Sequence, residues 1–213
     1  MKRTLDLYVQ YGCGLSGPAG WINFDASPTL RLQRIPLIGR LLTAQRVRFP
    51  DNVKFGDVVR GLPLPNSSCK GIYASHVLEH LGLDEFHFAL RETYRLLVPG
   101  GRFRLIVPDL ASLAERYLTQ FHAGDEQSSS QFMTETCLGV KVRPKGLKGL
   151  VEGAFGNSAH LWMWDDLSMK SALKEAGFVT CRSAVFGDSD DPKFALVEAP
   201  NRFIDAVALE AIK

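Results

Sequence analysis

Segments with the composition of β-strands alternate with helical segments and loops along this chain of 213 residues. The first four are short and end at, or one or two residues before, a glycine, aspartate or serine, which favour turns. Strands that are separated by helices or long loops pair in parallel and need cover on both faces. The order therefore predicts an α/β fold with a mainly parallel sheet. The predicted strands are residues 5–10, 21–25, 53–57, 71–75, 102–107, 178–186 and 204–212.

Three helices are predicted between these strands. Asp84 and Asp165 are placed to cap the first and the last, because a carboxylate accepts the free N–H groups of a first helical turn. Residues 99–101 end the first helix and Gly177 ends the last. The middle helix covers residues 110–121. Apolar or uncharged residues recur at helical spacing on the two capped helices: Phe86, Ala89, Leu90, Thr93 and Leu97 on one, and Met169, Ala172, Leu173 and Ala176 on the other.

Residues 30–48 and 124–160 do not fit this alternation, and we expect them to be insertions or lid segments near the active site. Residues 30–48, and residues 141–148 within the second segment, hold several basic residues and no acidic one. A solvated basic face is one interpretation, and attraction of an anionic acceptor or membrane surface is the other. The basic residues are Arg31, Arg34, Arg40, Arg46 and Arg48 in the first segment, and Lys141, Arg143, Lys145 and Lys148 in the second.

The charge balance and the cysteines exclude several classes of protein. With 25 basic and 23 acidic residues the formal net charge is +2, so no nucleic-acid partner is expected. The longest uncharged stretch, residues 7–24, is interrupted by glycines and polar residues and does not predict a membrane span. The four cysteines lie far apart in the sequence and form no C-x-x-C pair. They indicate reduced thiols in a cytoplasmic protein.

A glycine-rich turn follows the first strand and offers a site for a ligand. Gly12, Gly14 and Gly17 match G-x-G-x-x-G, the pattern of dinucleotide-binding turns. Pro18 and Gly20 oppose the helix that such a turn normally opens, so a plain tight turn is the alternative. Asp25, Asp57 and Ser75 close the next three strands. Ligands of open α/β sheets bind at the carboxyl ends of the strands, where these residues are expected to meet.

His76, Glu79 and His80 match H-x-x-E-H, a zinc-peptidase pattern that needs both histidines on one helix. The pattern follows a strand directly, and Gly82 comes two residues after His80, which leaves little room for that helix. We therefore expect no metal here, and interpret the histidines as residues that pack or line a cleft. The peptidase stays as the less favoured alternative.

Five segments in this order resemble class I S-adenosylmethionine-dependent methyltransferases. The branch is the short-turn bacterial group of the methyltransferase type 11 kind, often linked to glycan biosynthesis. The resemblance covers residues 5–123 and resumes over residues 160–178. The segments are residues 7–14, 20–28, 57–65, 73–81 and 97–109.

The resemblance implies a single methyltransferase domain over residues 1–213. Its fold would be Rossmann-like, with a seven-stranded, mostly parallel sheet, helices on both faces and residues 204–212 as the antiparallel last strand. S-adenosylmethionine would be the cofactor and S-adenosylhomocysteine its product. By motif position, the cofactor-binding residues are Gly12, Cys13 and Gly14 in the turn, Asp25 at the ribose, Asp57 and Val58 at the adenine, and Ser75 and His76 beside the sulfonium.

The implied activity is methyl transfer to a small-molecule or glycan acceptor. His76 is the first candidate for a general base and His160 the second, since an imidazole titrates near neutral pH. The basic segments suggest an acidic, lipid-linked acceptor and peripheral contact with a membrane. Two other functions stay open from the residues: a non-catalytic binding protein with this fold, and an NAD-dependent oxidoreductase.

Overall fold

The computed structural model describes residues 6–35, 48–140 and 159–213. These residues form one seven-stranded sheet in the order β3-β2-β1-β4-β5-β7-β6. The seven strands are β1 (Leu7–Tyr11), β2 (Ile22–Asp25), β3 (Val53–Phe55), β4 (Cys69–Ser75), β5 (Leu97–Pro108), β6 (Thr180–Ser183) and β7 (Ala206–Ile212).

The sheet is parallel except for β7. Strands β1 to β5 pair in parallel with their neighbours, whereas β7 lies antiparallel to both β5 and β6. Each predicted strand corresponds to an observed one, with ends that differ by a few residues. The predicted Rossmann-like α/β architecture with an antiparallel last strand is confirmed.

Five helices accompany the sheet in the described part of the chain. They are α1 (Pro28–Gln33), α2 (Leu83–Leu96), α3 (Leu110–His122), α4 (Ser128–Glu135) and α5 (Asp166–Glu175). The larger core lies between the sheet and helices α2 and α5, where Phe86 stacks on Trp164 with ring centroids 4.0 Å apart. A smaller aromatic core on the other face includes Tyr8, Trp21 and Phe194. Across the described ranges, every helix is too short or too polar to cross a bilayer.

The start of α2 differs from the prediction. Gly82, not Asp84, is the N-cap residue, and Asp84 lies within the first turn. The Glu85 carboxylate accepts a hydrogen bond from the Gly82 N–H at 3.1 Å, which satisfies the cap from inside the helix. This leaves Asp84 free to face solvent near the positive end of the helix dipole. The Asp165 cap of α5 is confirmed, since its carboxylate accepts the Ser168 N–H at 2.7 Å.

The two segments expected to be insertions are described only in part. Residues 30–35 complete α1 and the turn after it, and residues 124–140 contain α4. Neither of these two helices was among the three predicted. Tyr117 of α3 packs on Phe132 of α4 at 5.3 Å between ring centroids. The predictions for Arg40, Arg46 and residues 141–148 fall outside the described residues.

The connection from β1 to β2 places the glycine-rich turn against the sheet edge without a helix. Residues 12–21 are all described, and they contain only turns and bends. The Cys13 N–H donates to the Phe24 carbonyl oxygen at 3.0 Å, so the turn is held directly against β2. No helix N-terminus therefore points at this turn from within these residues, in contrast to the dinucleotide-binding arrangement.

Candidate functional site

A cavity of about 540 Å³ opens at the carboxyl ends of β1, β2, β3 and β4. A parallel sheet brings these strand ends to one edge, which is where ligands of such folds bind. Five of the eight residues predicted to bind a cofactor line this cavity: Gly12, Asp25, Asp57, Val58 and His76. Sequence reasoning did not identify the rest of the lining, which includes Pro28 at the start of α1 and Leu81 before α2.

Gly12 is a glycine for two separate reasons. Its φ of +60° lies in the left-handed region, and a Cβ placed on it would lie 2.7 Å from Val77 Cγ1 and closer still to Cγ2. The backbone can therefore pass beside the Val77 side chain only without a side chain of its own. Gly14 also has a positive φ, +54°, but a Cβ there would meet no described atom within 4 Å.

Asp25 ends β2 and is 7% exposed. One carboxylate oxygen accepts the Gly14 N–H at 2.8 Å and the other accepts the Ser27 N–H at 2.7 Å. Asp25 thus fixes both the glycine-rich turn and the start of α1. Each carboxylate oxygen can accept more than one hydrogen bond, so the carboxylate keeps acceptor capacity on the side of the cavity that it lines.

Asp57 and Val58 follow β3 and both line the cavity. The Asp57 carboxylate accepts the Val59 N–H at 3.2 Å and caps the single 3₁₀ turn Val58–Arg60. Arg60 also contacts this carboxylate, with Nε 3.4 Å from Oδ2. Val58 is 5% exposed and supplies an apolar surface beside the carboxylate.

Cys13 and Ser75 line a second, smaller cavity of about 270 Å³ that shares Tyr11 and Gly12 with the first. Gly14 lines neither cavity and acts on the site through its hydrogen bond to Asp25. Burial, helped by the nearby Asp25 charge, raises the pKa of the Cys13 thiol to about 12. The Cys13 side chain is therefore a neutral thiol at physiological pH and a poor nucleophile.

His76 follows β4 with a φ of +54°, a strained conformation for a residue other than glycine. Its N–H donates to the Ile106 carbonyl oxygen at 2.8 Å, and its ring Nε2 lies 3.1 Å from the Arg202 carbonyl oxygen. A carbonyl oxygen only accepts, so Nε2 carries the proton and Nδ1 holds the lone pair. The other ring nitrogen, Nδ1, lies 3.5 Å from the Glu79 carboxylate oxygen Oε1, and the residue lines the cavity wall.

His76 and His80 do not share a helix, because only the 3₁₀ turn Leu78–His80 follows β4. The structure instead brings His160 against His80, with ring centroids 5.0 Å apart. Glu79 lies beside both, and one ligand atom from each of Glu79, His80 and His160 falls within 4.8 Å of the others. His160 does not line the large cavity, whereas His80 does.

The segment that carries His160 is tied to the same turn. The Leu161 and Trp162 N–H groups donate to the Glu79 backbone carbonyl oxygen at 2.8 and 3.2 Å. Trp164 continues the contact as a parallel bridge to Asp109 after β5. Burial lowers the pKa of the His160 imidazole, with the Glu79 charge acting in the opposite direction.

The described arginines of residues 30–48 differ in their contacts with the rest of the protein. Arg34 Nη2 donates to the backbone oxygens of Asp51 at 2.8 Å and Val53 at 2.7 Å, which ties α1 to β3. Arg48 pairs with Asp51 on the surface. Arg31 lies over the Phe55 ring at 4.8 Å and lines a shallow pocket with Pro28, which also lines the large cavity. Arg31 therefore shares a pocket with a residue of the large cavity.

Known proteins are similar to this chain in sequence and in fold. Residues 9–105 match the family described as "Methyltransferase domain". A SAM-dependent methyltransferase from Archaeoglobus fulgidus has a similar structure, with a TM-score of 0.52 and 15% sequence identity over 98% of this chain and 86% of that one. A SAM-dependent methyltransferase from Thermotoga maritima gives a TM-score of 0.49 at 15% identity, covering 97% and 82% of the two chains.

An uncharacterized protein of Saccharomyces cerevisiae is 26% identical over 124 residues, which are 58% of this chain and 13% of that protein. The chain thus corresponds to a small part of this curated relative. The matched family and the shared fold confirm the resemblance to class I methyltransferases. The matched residues 9–105 include every predicted cofactor-binding residue, from Gly12 to His76.

Proposed function

We propose that this chain is a class I methyltransferase and transfers a methyl group from S-adenosylmethionine to a small-molecule or glycan acceptor that carries negative charge. The cavity at the strand ends carries the proposal, because it joins Gly12, Asp25, Asp57, Val58 and His76 on one surface. These are the positions that the family resemblance assigns to the cofactor, and the fold brings them together from four strands.

The residues present fit such a cofactor. A volume of about 540 Å³ lies within the range of roughly 300–1,000 Å³ typical of small-molecule sites. The buried Asp25 carboxylate offers paired acceptors for a ribose diol, and Asp57 with Val58 offers an acceptor beside an apolar wall for an adenine. When bound, S-adenosylmethionine supplies a methyl group activated by its sulfonium.

The chain itself would orient the acceptor, exclude water and accept a proton. Orientation can contribute roughly 7–11 kcal/mol to such a transfer. Of the two predicted bases, His76 lines the cavity and His160 does not, so His76 is the base in this proposal. Its Nδ1 would receive the proton of an acceptor hydroxyl, while the Nε2–H bond to the Arg202 carbonyl oxygen keeps the ring in place.

The preference for an acidic acceptor is supported by Arg31, which lines the shallow pocket beside α1 that shares Pro28 with the large cavity. A lipid-linked glycan that carries phosphate or uronic acid has the matching charge, and it would bring the chain to a membrane surface. We place the reaction in the cytoplasm, because all four cysteines are unpaired thiols.

Calorimetry with S-adenosylhomocysteine and with NAD tests the cofactor. We expect the protein to bind S-adenosylhomocysteine and not NAD. Asp25→Ala should lose about 1–3 kcal/mol of the binding free energy of S-adenosylhomocysteine, because charged hydrogen bonds are lost. Asp25→Asn keeps an acceptor oxygen for the turn and controls for folding, and Asp51→Ala removes an exposed aspartate away from the cavity. Binding of NAD alone would overturn the proposal, and unchanged affinity in Asp25→Ala and Asp25→Asn would overturn the role of Asp25.

Turnover with neutral and acidic sugar acceptors tests the rest of the proposal. His76→Gln should lower kcat by about 10²–10⁴-fold if its imidazole is the general base, whereas His122→Gln at the end of α3 should leave kcat unchanged. Arg31→Glu should weaken turnover of the acidic acceptor, and added salt should do the same for the unaltered protein. Equal turnover of neutral acceptors with no dependence on salt would assign the arginines to the surface only.

A further inference from the structure

We propose that Glu79, His80 and His160 bind a divalent transition metal, with Zn²⁺ as the preferred ion. The site lies at the rim of the large cavity, which His80 also lines. It reverses the sequence-based expectation of no metal, and it uses a ligand set that the H-x-x-E-H pattern alone does not contain. The proposal does not depend on methyl transfer, because metal binding is measured directly.

The first observation is a buried carboxylate that has no hydrogen-bond partner among the described residues. The Glu79 side chain is 1% exposed, and within the described ranges neither of its carboxylate oxygens has a hydrogen-bond partner. Burying an ionised carboxylate without compensation is expensive, so such groups are paired with cations or bind metals. Two histidine ring nitrogens lie beside it, His76 Nδ1 at 3.5 Å and His80 Nε2 at 4.0 Å from Oε1.

The second observation is the orientation of His80. Its Nδ1 lies 3.0 Å from the Ala159 carbonyl oxygen, so Nδ1 carries the proton and donates it there. This leaves the lone pair of Nε2 on the side of Glu79. Histidines that ligate metals characteristically donate their other N–H to a carbonyl or carboxylate, which fixes the tautomer and the ring. His80 therefore has the second-partner arrangement of a metal ligand.

The third ligand comes from a distant part of the sequence. His160 is 80 residues after His80, and the hydrogen bonds of Leu161 and Trp162 to the Glu79 carbonyl oxygen hold its segment at this turn. The same turn thus fixes all three ligands. In the peptidase pattern both histidines lie on the same helix. Here the second histidine is His160, which comes from a different segment of the chain.

The donor set selects the metal. Two imidazole nitrogens and one carboxylate oxygen suit Zn²⁺ and its first-row neighbours better than Mg²⁺ or Ca²⁺, which prefer oxygen ligands alone. Tetrahedral bonds of about 2.0–2.2 Å place ligand atoms about 3.4 Å apart, so the observed separations of up to 4.8 Å need small side-chain rotations. Three protein ligands leave one position for water or a substrate oxygen.

The test uses the full chain, stripped with a chelator and then equilibrated with Zn²⁺ alone. Elemental analysis after desalting should give one equivalent of zinc, and Co²⁺ in its place should show the visible absorption of a tetrahedral site. Glu79→Gln, His80→Asn and His160→Asn should each weaken metal binding at least tenfold. His122→Asn, which removes a histidine outside the cluster, should bind metal as the unaltered protein does.

Circular dichroism of each variant separates lost metal binding from lost folding. If Glu79→Gln does not fold, the metal affinity of His160→Asn tests the site instead. Absence of retained zinc together with absence of a cobalt spectrum would overturn the proposal. Equal metal affinity in all variants would overturn it as well. Binding of S-adenosylhomocysteine, measured on the stripped protein, keeps this outcome separate from that of the proposed function.

Discussion

Replacing Gly12 with alanine should destabilise the protein much more than replacing Gly14, although the two glycines lie in one turn. Both have a positive φ, +60° and +54°. They differ in their surroundings: a Cβ on Gly12 meets both Cγ atoms of Val77, whereas a Cβ on Gly14 meets nothing described within 4 Å. The pair therefore separates backbone strain from steric conflict.

The magnitudes follow from these two contributions. A left-handed backbone costs an alanine about 1–2 kcal/mol, and this cost applies to both positions. Gly12→Ala adds the cost of overpacking against Val77, typically about 1–3 kcal/mol. Rotation of the valine does not remove the conflict, because Val77 Cγ1, Cγ2 and Cβ all lie within 3.1 Å of the new Cβ. We expect losses of about 2–5 kcal/mol for Gly12→Ala and about 1–2 kcal/mol for Gly14→Ala.

Urea unfolding of the two single variants, of Val77→Ala and of the double variant Gly12→Ala/Val77→Ala measures these losses as changes in the free energy of unfolding. Val77→Ala removes both methyl groups that oppose the new Cβ, so the double variant should recover the steric part and keep the strain. The double-mutant cycle should then show a coupling of about 1–3 kcal/mol. Equal losses for Gly12→Ala and Gly14→Ala, or a coupling near zero, would refute the steric argument.

Two further predictions concern titration. Burial acts to raise the pKa of Glu210, but the hydrogen bond from Arg104 and the charge of Arg182 outweigh it and hold that pKa below its ordinary value. This stabilisation is present above the pKa of about 4.3 in the unfolded chain and is lost as the pH falls through the lower pKa of the folded protein. The free energy of unfolding of Glu210→Gln should therefore depend less on pH in the acid range than that of the unaltered protein. An unchanged pH dependence would contradict this role. The raised pKa of Cys13 predicts that iodoacetamide at pH 8 labels it far more slowly in the folded protein than in urea, as followed by peptide mass spectrometry. Equal labelling rates in the two states would show an accessible thiolate.

The sequence predicted the parts of this molecule that depend on local signals. Strand periodicity and turn residues located the sheet, and the placement of Asp25 and Asp57 at strand ends predicted their meeting at the cavity. The start of α2 was misplaced because a glycine N-cap supported by Glu85 carries no marker of its own. An acidic residue near a helix start is equally compatible with either position.

Contacts between distant segments were not predictable from the same signals. Glu79 and His160 are 81 residues apart in the sequence, and no local pattern indicates that they meet. Arg34 looked like part of a free basic cluster, yet it bonds to backbone oxygens near β3. An arginine side chain has the same donors whether it faces solvent or hydrogen-bonds to the backbone. Only its neighbours in three dimensions distinguish the two roles.

The place of β7 in the sheet has a consequence for the order in which the chain can fold. β6 pairs only with β7 among the described strands, and β7 lies between it and β5. As the chain leaves the ribosome, β6 emerges before β7 and has no strand with which to pair. Until β7 arrives, β5 presents an open strand edge along residues 102–108. These seven residues pair with β7 in the finished sheet. Such edges invite pairing with other chains, so the interval between the synthesis of β5 and the docking of β7 is the period in which a nascent chain is most exposed to aggregation.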